Sequence, residues 1–264
     1  MDAIKEKIKN GQVIFGTHVI NEDPFNAEII SQMGFDYIFI DMEHTEIEKS
    51  SLNAILMATN VKGSTAKRFV RVSSNDPNKV KPVLDMGADG IIFPMIRTKE
   101  DVDLAVASCT YPPEGIRGFS PKRPMRYGLD PALPYINGPA KEIWKIIQIE
   151  TKEAYEHLDD ICSNPAVDAY LIGPADSSGA FGHLMDFKHP DVLKHIDEAI
   201  AYLKAHGKII VTSMGSYDYD SIKFWIDRGI NMLSMGTEFG YIIAGCKETL
   251  SNMQRAFEDS RAGR

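Results

Sequence analysis

The chain has 264 residues, and its 29 Lys and Arg against 37 Asp and Glu leave a net charge of −8. This length and a 44% hydrophobic content suit one large domain or two small ones and exclude a disordered or fibrous chain, while the acidity argues against a nucleic-acid partner, whose phosphates call for concentrated Lys and Arg. Three cysteines without a Cys-x-x-Cys pair argue against a disulfide framework or a zinc ribbon and point to a reducing cytoplasm, and neither the polar start MDAIKEKIKN nor any later run is apolar enough for a signal peptide or a membrane span.

Short β-rich runs alternate with longer stretches whose apolar residues recur at helical spacing. In chain order the pattern predicts strand 13–16 and helix 24–33, strand 36–41 and helix 47–60, strand 69–72 and helix 77–86, and strand 90–93 and helix 100–108. Strands 143–149 and 169–172, helix 191–206, strand 208–212, helix 221–228 and strand 232–235 follow. Eight strands with interleaved helices match the roughly 250 residues of a closed barrel, so a single-domain α/β chain with the (β/α)8 TIM-barrel architecture is predicted ahead of a doubly wound open sheet. No G-x-G-x-x-G turn follows the first strand, which leaves a dinucleotide site without support. Two regions break the rhythm. Residues 111–141, rich in Pro and Gly, are too long for an ordinary connection and read as a functional loop or an interface. The end reads as a long helix over about 239–262 with Ile242, Ile243, Leu250, Met253 and Phe257 toward one face, the eighth helix of the barrel with a polar tail.

In a parallel barrel the chemistry gathers where strands end, and here the strands end in few residue types. The second strand runs into Asp41-Met42-Glu43-His44, the third into Arg71, the fifth into Gln148 and Glu150, and the sixth into Gly173-Pro174-Ala175-Asp176. Glu150 and Asp176, at adjacent strand ends, are the candidate metal ligands. Two carboxylates supply hard oxygen donors suited to Mg²⁺ or Mn²⁺, with Co²⁺ a further option, and leave positions open for water and substrate. The plainer alternatives are that Glu150 opens the helix starting at Thr151 and that Asp176 is an N-cap. The Gly-Pro turn can aim the backbone N–H groups of Ala175 and Asp176 at a carboxylate, Arg71 can hold an anionic oxygen in its fork, and His44 beside two acids suits acid/base work. Asp85 orients His44 if the third helix brings the two together.

The segments IDMEH at 40–44, VRV at 70–72, YPPEGIRG at 111–118, QIET at 148–151 and IGPADSS at 172–178 together resemble the HpcH/HpaI aldolase family, in order and across nearly the whole chain. The resemblance implies a phosphoenolpyruvate/pyruvate-type barrel and a metal-dependent pyruvate aldolase that reversibly cleaves a 4-hydroxy-2-oxo acid to pyruvate and an aldehyde. It implies Glu150 and Asp176 on the divalent ion with Gln148 beside it, and Arg71 on the keto oxygen. The pyruvate carboxylate would lie at the backbone of Ala175 and Asp176, with His44 as acid/base paired with Asp85. It also implies a homo-oligomer, a hexamer of dimers that exchange the last helix. Segments 119–129 and 212–219 depart from the family's pattern and are expected to shape the aldehyde end of the pocket. A Schiff-base aldolase would need a lysine at a catalytic strand end. A malyl- or citryl-coenzyme A lyase would need Lys122, Arg123 and Arg126 on a nucleotide tail. A barrel that binds metabolites without turnover is the alternative outside enzymology.

Overall fold

A closed sheet of eight parallel strands pairs β1 (Ile14–Val19), β2 (Tyr37–Asp41), β3 (Lys67–Arg71), β4 (Gly90–Phe93), β5 (Trp144–Ile149), β6 (Ala169–Ile172), β7 (Ile209–Met214) and β8 (Met232–Thr237) in chain order, with β8 closing on β1. The computed structural model describes residues 2–262. The helices are α1 (Ala3–Lys9), α2 (Pro24–Ser31), α3 (Lys49–Ala58), α4 (Pro77–Asp85), α5 (Lys99–Cys109), α6 (Ala132–Asn137), α7 (Lys152–Glu156), α8 (Leu158–Ile161), α9 (Pro174–Ala180), α10 (Pro190–Ala205), α11 (Tyr219–Asp227) and α12 (Glu238–Ala262). No helix among the described residues is long and apolar enough to cross a membrane.

Side chains alternate along each strand, and the apolar residues divide accordingly into two cores. Tyr37, Phe39, Phe69, Trp144, Ile146, Leu171 and Val211 fill the barrel interior. Ile38, Ile40, Val70, Ile147, Ile172 and Ile210 point outward to the helices. Both faces of the sheet are covered, which is why strands such as YIFID are buried throughout. Helix starts are set locally: Asp23 caps α2 ahead of Pro24, and Thr98 and Asp101 form a capping box on α5. The interior is tight at its base, where a Cβ on Gly16 would lie 2.4 Å from the Tyr37 ring. Helix α1 stoppers this lower end with Ile4, and Asp2 accepts the Trp144 indole N–H at 2.9 Å.

Two expectations are corrected by this topology. Each helix runs antiparallel to its strand, so the segment after α5 returns to the N-terminal end of the barrel. There residues of 111–141 border Lys67, Arg68 and Asp89, at the feet of β3 and β4, and they do not shape the mouth of their own barrel. They fold around a separate small core of Tyr111, Met125, Tyr135 and Ala140. The last helix does not close over the barrel as an eighth layer. Ile242, Ile243, Leu250, Met253 and Phe257 are all exposed, and Glu238 is its single buried residue.

Candidate active site

Inward alternation carries past the apolar interior layer to a polar one at the C-terminal rim. Above Phe39 stands Asp41, above Phe69 stands Arg71, and above Ile146 stand Gln148 and then Glu150. The rim surrounds a cavity of about 610 Å³ lined by His18, His44, Arg71, Gln148, Asp176 and Ser213, among others.

The Arg71 guanidinium is fixed by a two-pronged grip from Asp41, Nε to Oδ1 at 2.9 Å and Nη2 to Oδ2 at 2.7 Å, and lies 5.3 Å from the centre of the Phe39 ring. Its third nitrogen, Nη1, is 3.1 Å from Glu43. Such a fork holds one orientation, leaving the guanidinium edge toward the cavity as a ready anion clamp. Burial would raise the Asp41 carboxyl, but the hydrogen bonds and charge of Arg71 override it and hold it below the ordinary value.

Glu150 is buried. Its Oε1 accepts the Met95 N–H at 2.8 Å and its Oε2 accepts from Gln148 Nε2. Met95 presents that N–H from a left-handed backbone, φ 57°, which is strained for a residue with a Cβ and found mostly where function fixes the geometry. Burial, followed by repulsion from Asp176 and Glu43, pushes the Glu150 carboxyl up to about 7. The Gln148 Oε1 atom is buried without a hydrogen-bond partner. A crowd of carboxylates with too little positive charge, beside an orphaned amide oxygen, has the composition of a hard-cation site, so the residues present fit a divalent ion. No group of three or more His, Cys, Asp and Glu arranged for a metal occurs among the described residues, so the protein side would consist of Glu150 and Asp176 with Gln148 adjacent.

Neither plainer alternative for these acids matches the local structure. Thr151, not Glu150, caps α7, and α9 opens at Gly173 without a side-chain cap, with Asp176 inside its first turn. Ser177 donates the first bond of that helix, to the Gly173 carbonyl at 2.9 Å, so the N–H groups of Ala175 and Asp176 precede the helical ladder. Gly173 itself is a cradle: a Cβ there would sit 3.0 Å from Glu150 Oε2 and 3.1 Å from Gln148 Nε2.

His44 stands at the rim with a side chain 64% exposed and Glu43 at 3.6 Å. The structure does not bring Asp85 to it. Asp85 ends α4, at the opposite end of the barrel from the loop after β2, and its carboxylate accepts from the buried Arg117 at 2.8 Å. Lys122, Arg123 and Asp85 border one surface hollow on that far side. Sequence reasoning did not single out His18, which faces the site by the same alternation that points Ile14 inward, beside an irregularity in β8 between Ser234 and Thr237. Ser213 belongs to segment 212–219, of which Ser213 to Ser216 line the cavity, whereas the anchoring of Arg71 by Asp41 was not singled out.

Residues 15–244 match the family described as HpcH/HpaI aldolase/citrate lyase. A 5-keto-4-deoxy-D-glucarate aldolase of Escherichia coli O9:H4 (strain HS) is 37% identical over 240 residues, covering 90% of this chain and 91% of that protein. One from Salmonella arizonae is 33% identical over 245 residues, covering 92% and 93%. Among solved structures, an HpcH/HpaI aldolase/citrate lyase family protein from Burkholderia cenocepacia J2315 superposes with a TM-score of 0.89 at 24% identity over 96% of this chain and all of that one.

Proposed function

We propose that this chain, which belongs to the HpcH/HpaI aldolase/citrate lyase family, is a metal-dependent carbon–carbon lyase that reversibly cleaves a 4-hydroxy-2-oxo acid to pyruvate and an aldehyde. The observation that carries this reading is that Asp176, Gln148 and the anchored Arg71 line one cavity, with buried Glu150 directly behind Gln148 and within reach of the Asp176 charge. The names of the relatives in Escherichia coli and Salmonella direct the substrate class toward deoxy keto sugar acids.

Glu150 and Asp176 would hold a divalent cation, Mg²⁺ or Mn²⁺, which would supply electrophilic stabilisation for the charge that gathers on the 2-oxo oxygen as the C3–C4 bond breaks. Turning its amide, Gln148 offers the orphaned Oε1 to the same place. Arg71 faces the keto oxygen and stabilises the same charge, held against rotation by Asp41. The Ala175 and Asp176 N–H groups hold the substrate carboxylate. His44 takes the 4-hydroxyl proton, freeing the electron pair that becomes the aldehyde carbonyl, and a proton returned to C3 completes pyruvate. Since Asp85 lies at the far end of its own barrel, it reaches His44 only from a second copy of the chain. The bare apolar stripe of α12 and the apolar hollow of Ile29, Met33, Phe35 and Ile242 beside it support an oligomer that exchanges this helix. The three free cysteines suit the cytoplasm.

A Schiff-base route finds no lysine in the lining of the cavity. The coenzyme A alternative would need Lys122 and Arg123 to reach the mouth from a second copy of the chain, since they border the same hollow as Asp85 on the far side of their own barrel. The test is pyruvate methyl-proton exchange in D₂O, together with aldol product formation, in Mn²⁺ or Mg²⁺. Both activities should vanish after exhaustive chelation and return with the metal, and full activity in the chelated protein refutes the proposal.

A further inference from the structure

Two side chains of the cavity wall, His18 and Ser213, have no part in handling pyruvate as described above, yet they are joined in a defined way. His18 is buried, with Nδ1 2.8 Å from the Gly236 carbonyl oxygen and Nε2 2.6 Å from Ser213 Oγ. A carbonyl can only accept, so Nδ1 carries the proton. Burial keeps the ring neutral, pushing its pKa down to about 4, which leaves Nε2 as an acceptor. The Ser213 hydroxyl proton is therefore committed to Nε2, and Oγ meets no other partner among the described residues. What Ser213 shows the cavity is an oxygen with lone pairs and no proton to give.

We infer that the His18–Ser213 pair is a specificity element for the aldehyde half of the substrate, accepting a hydrogen bond from a hydroxyl on that fragment. The inference rests on the aldolase reading above and narrows it to hydroxylated aldehydes. An acceptor-only group placed there would have to draw the serine proton away from Nε2 and strand a buried ring nitrogen, so a carboxylate at this point is disfavoured. An unsubstituted aldehyde offers the Oγ lone pairs no donor, which a site built for a hydroxyl discriminates against. Met185, Phe187 and Met214 line the same cavity and give the carbon skeleton of the fragment an apolar wall.

The experiment compares glycolaldehyde with propionaldehyde, which differ by a hydroxyl in place of a methyl, as partners for pyruvate with Mn²⁺. In the wild type kcat/KM for glycolaldehyde should exceed that for propionaldehyde by about tenfold or more. Ser213→Ala should bring the ratio close to one, and Ser213→Thr, which retains the hydroxyl, should preserve the preference. A wild-type ratio near one, or a preference that survives in Ser213→Ala, overturns the inference. Pyruvate methyl-proton exchange by the wild type without any aldehyde separates the two readings: exchange with no aldehyde preference sinks the His18–Ser213 role alone, whereas no exchange overturns both.

Discussion

Glu150→Gln should move two observables in opposite directions. The Glu150 carboxyl is pushed from its ordinary 4.5 up to about 7, first by burial and then by Asp176 and Glu43. In protein without metal, keeping it ionised above that pH therefore costs about 3 kcal/mol, at 1.36 kcal/mol for each pH unit of displacement. The sign follows from linkage: a carboxyl whose folded pKa is raised weakens the fold as pH climbs from about 4.5 through 7, and has little effect below. The neutral amide removes that cost without losing partners. Its oxygen still accepts the Met95 N–H, and its NH₂ can be taken by the orphaned Gln148 Oε1 once the Gln148 amide turns over. In EDTA at pH 8 the variant should melt roughly 5 °C higher than the wild type, with a gain of under about 1 kcal/mol at pH 5. Mn²⁺ at a hundred times its dissociation constant should add about 2.7 kcal/mol to the wild type and nothing to the variant. Thermal unfolding by circular dichroism reads both effects. A variant that is less stable in EDTA at pH 8, or that gains as much from Mn²⁺ as the wild type, refutes the reasoning.

Further predictions concern neighbouring residues. Gly173→Ala places a Cβ 3.0 Å from Glu150 Oε2, so calorimetric titration should find Mn²⁺ affinity lowered at least tenfold in a folded protein; unchanged affinity would remove the cradle from the account. His44→Ala, at a 64% exposed side chain, should shift stability by under about 0.5 kcal/mol and spare Mn²⁺ binding while lowering aldol turnover by a factor on the order of 10²–10⁴. Turnover at the wild-type rate would take His44 out of the scheme. His18 sits at about 4 against an ordinary 6.5, so the unfolded chain takes up a proton there first and stability is lost as pH falls from about 6.5 to 4, by up to about 3 kcal/mol. Urea unfolding across that range should show a shallower acid dependence in His18→Asn than in the wild type, and parallel profiles would contradict the burial of a neutral ring.

The barrel was readable because its strands are nearly continuous apolar runs separated by helical periodicity, and all eight are present in the predicted order. Metal-ligand candidates were readable because Glu150 and Asp176 each interrupt the apolar pattern at a strand end. The misses share a cause. Strand β1 was ended at Gly16 and β7 at Thr212, whereas the structure carries them to Val19 and Met214. Of the residues left outside these strands, His18 and Ser213 are polar because they enter the cavity mouth rather than the apolar core, so the feature that suits them to a site took them out of the hydrophobicity pattern. Residues 119–129 were expected at the aldehyde end of the pocket, although a segment between a helix and the following strand must lie at the other end of its own parallel barrel. Asp85, the last residue of a helix rather than of a strand, lies at that same end, so its pairing with His44 could not be read within one barrel.

Diffraction from crystals soaked with Mn²⁺ and pyruvate, using the anomalous signal of manganese, tests the central claim most directly. The account predicts a single strong peak between the carboxylates of Glu150 and Asp176, with pyruvate beside it, its keto oxygen toward Arg71 and its carboxylate at the Ala175 and Asp176 N–H groups. Manganese bound elsewhere, or pyruvate lodged away from Arg71, would contradict it.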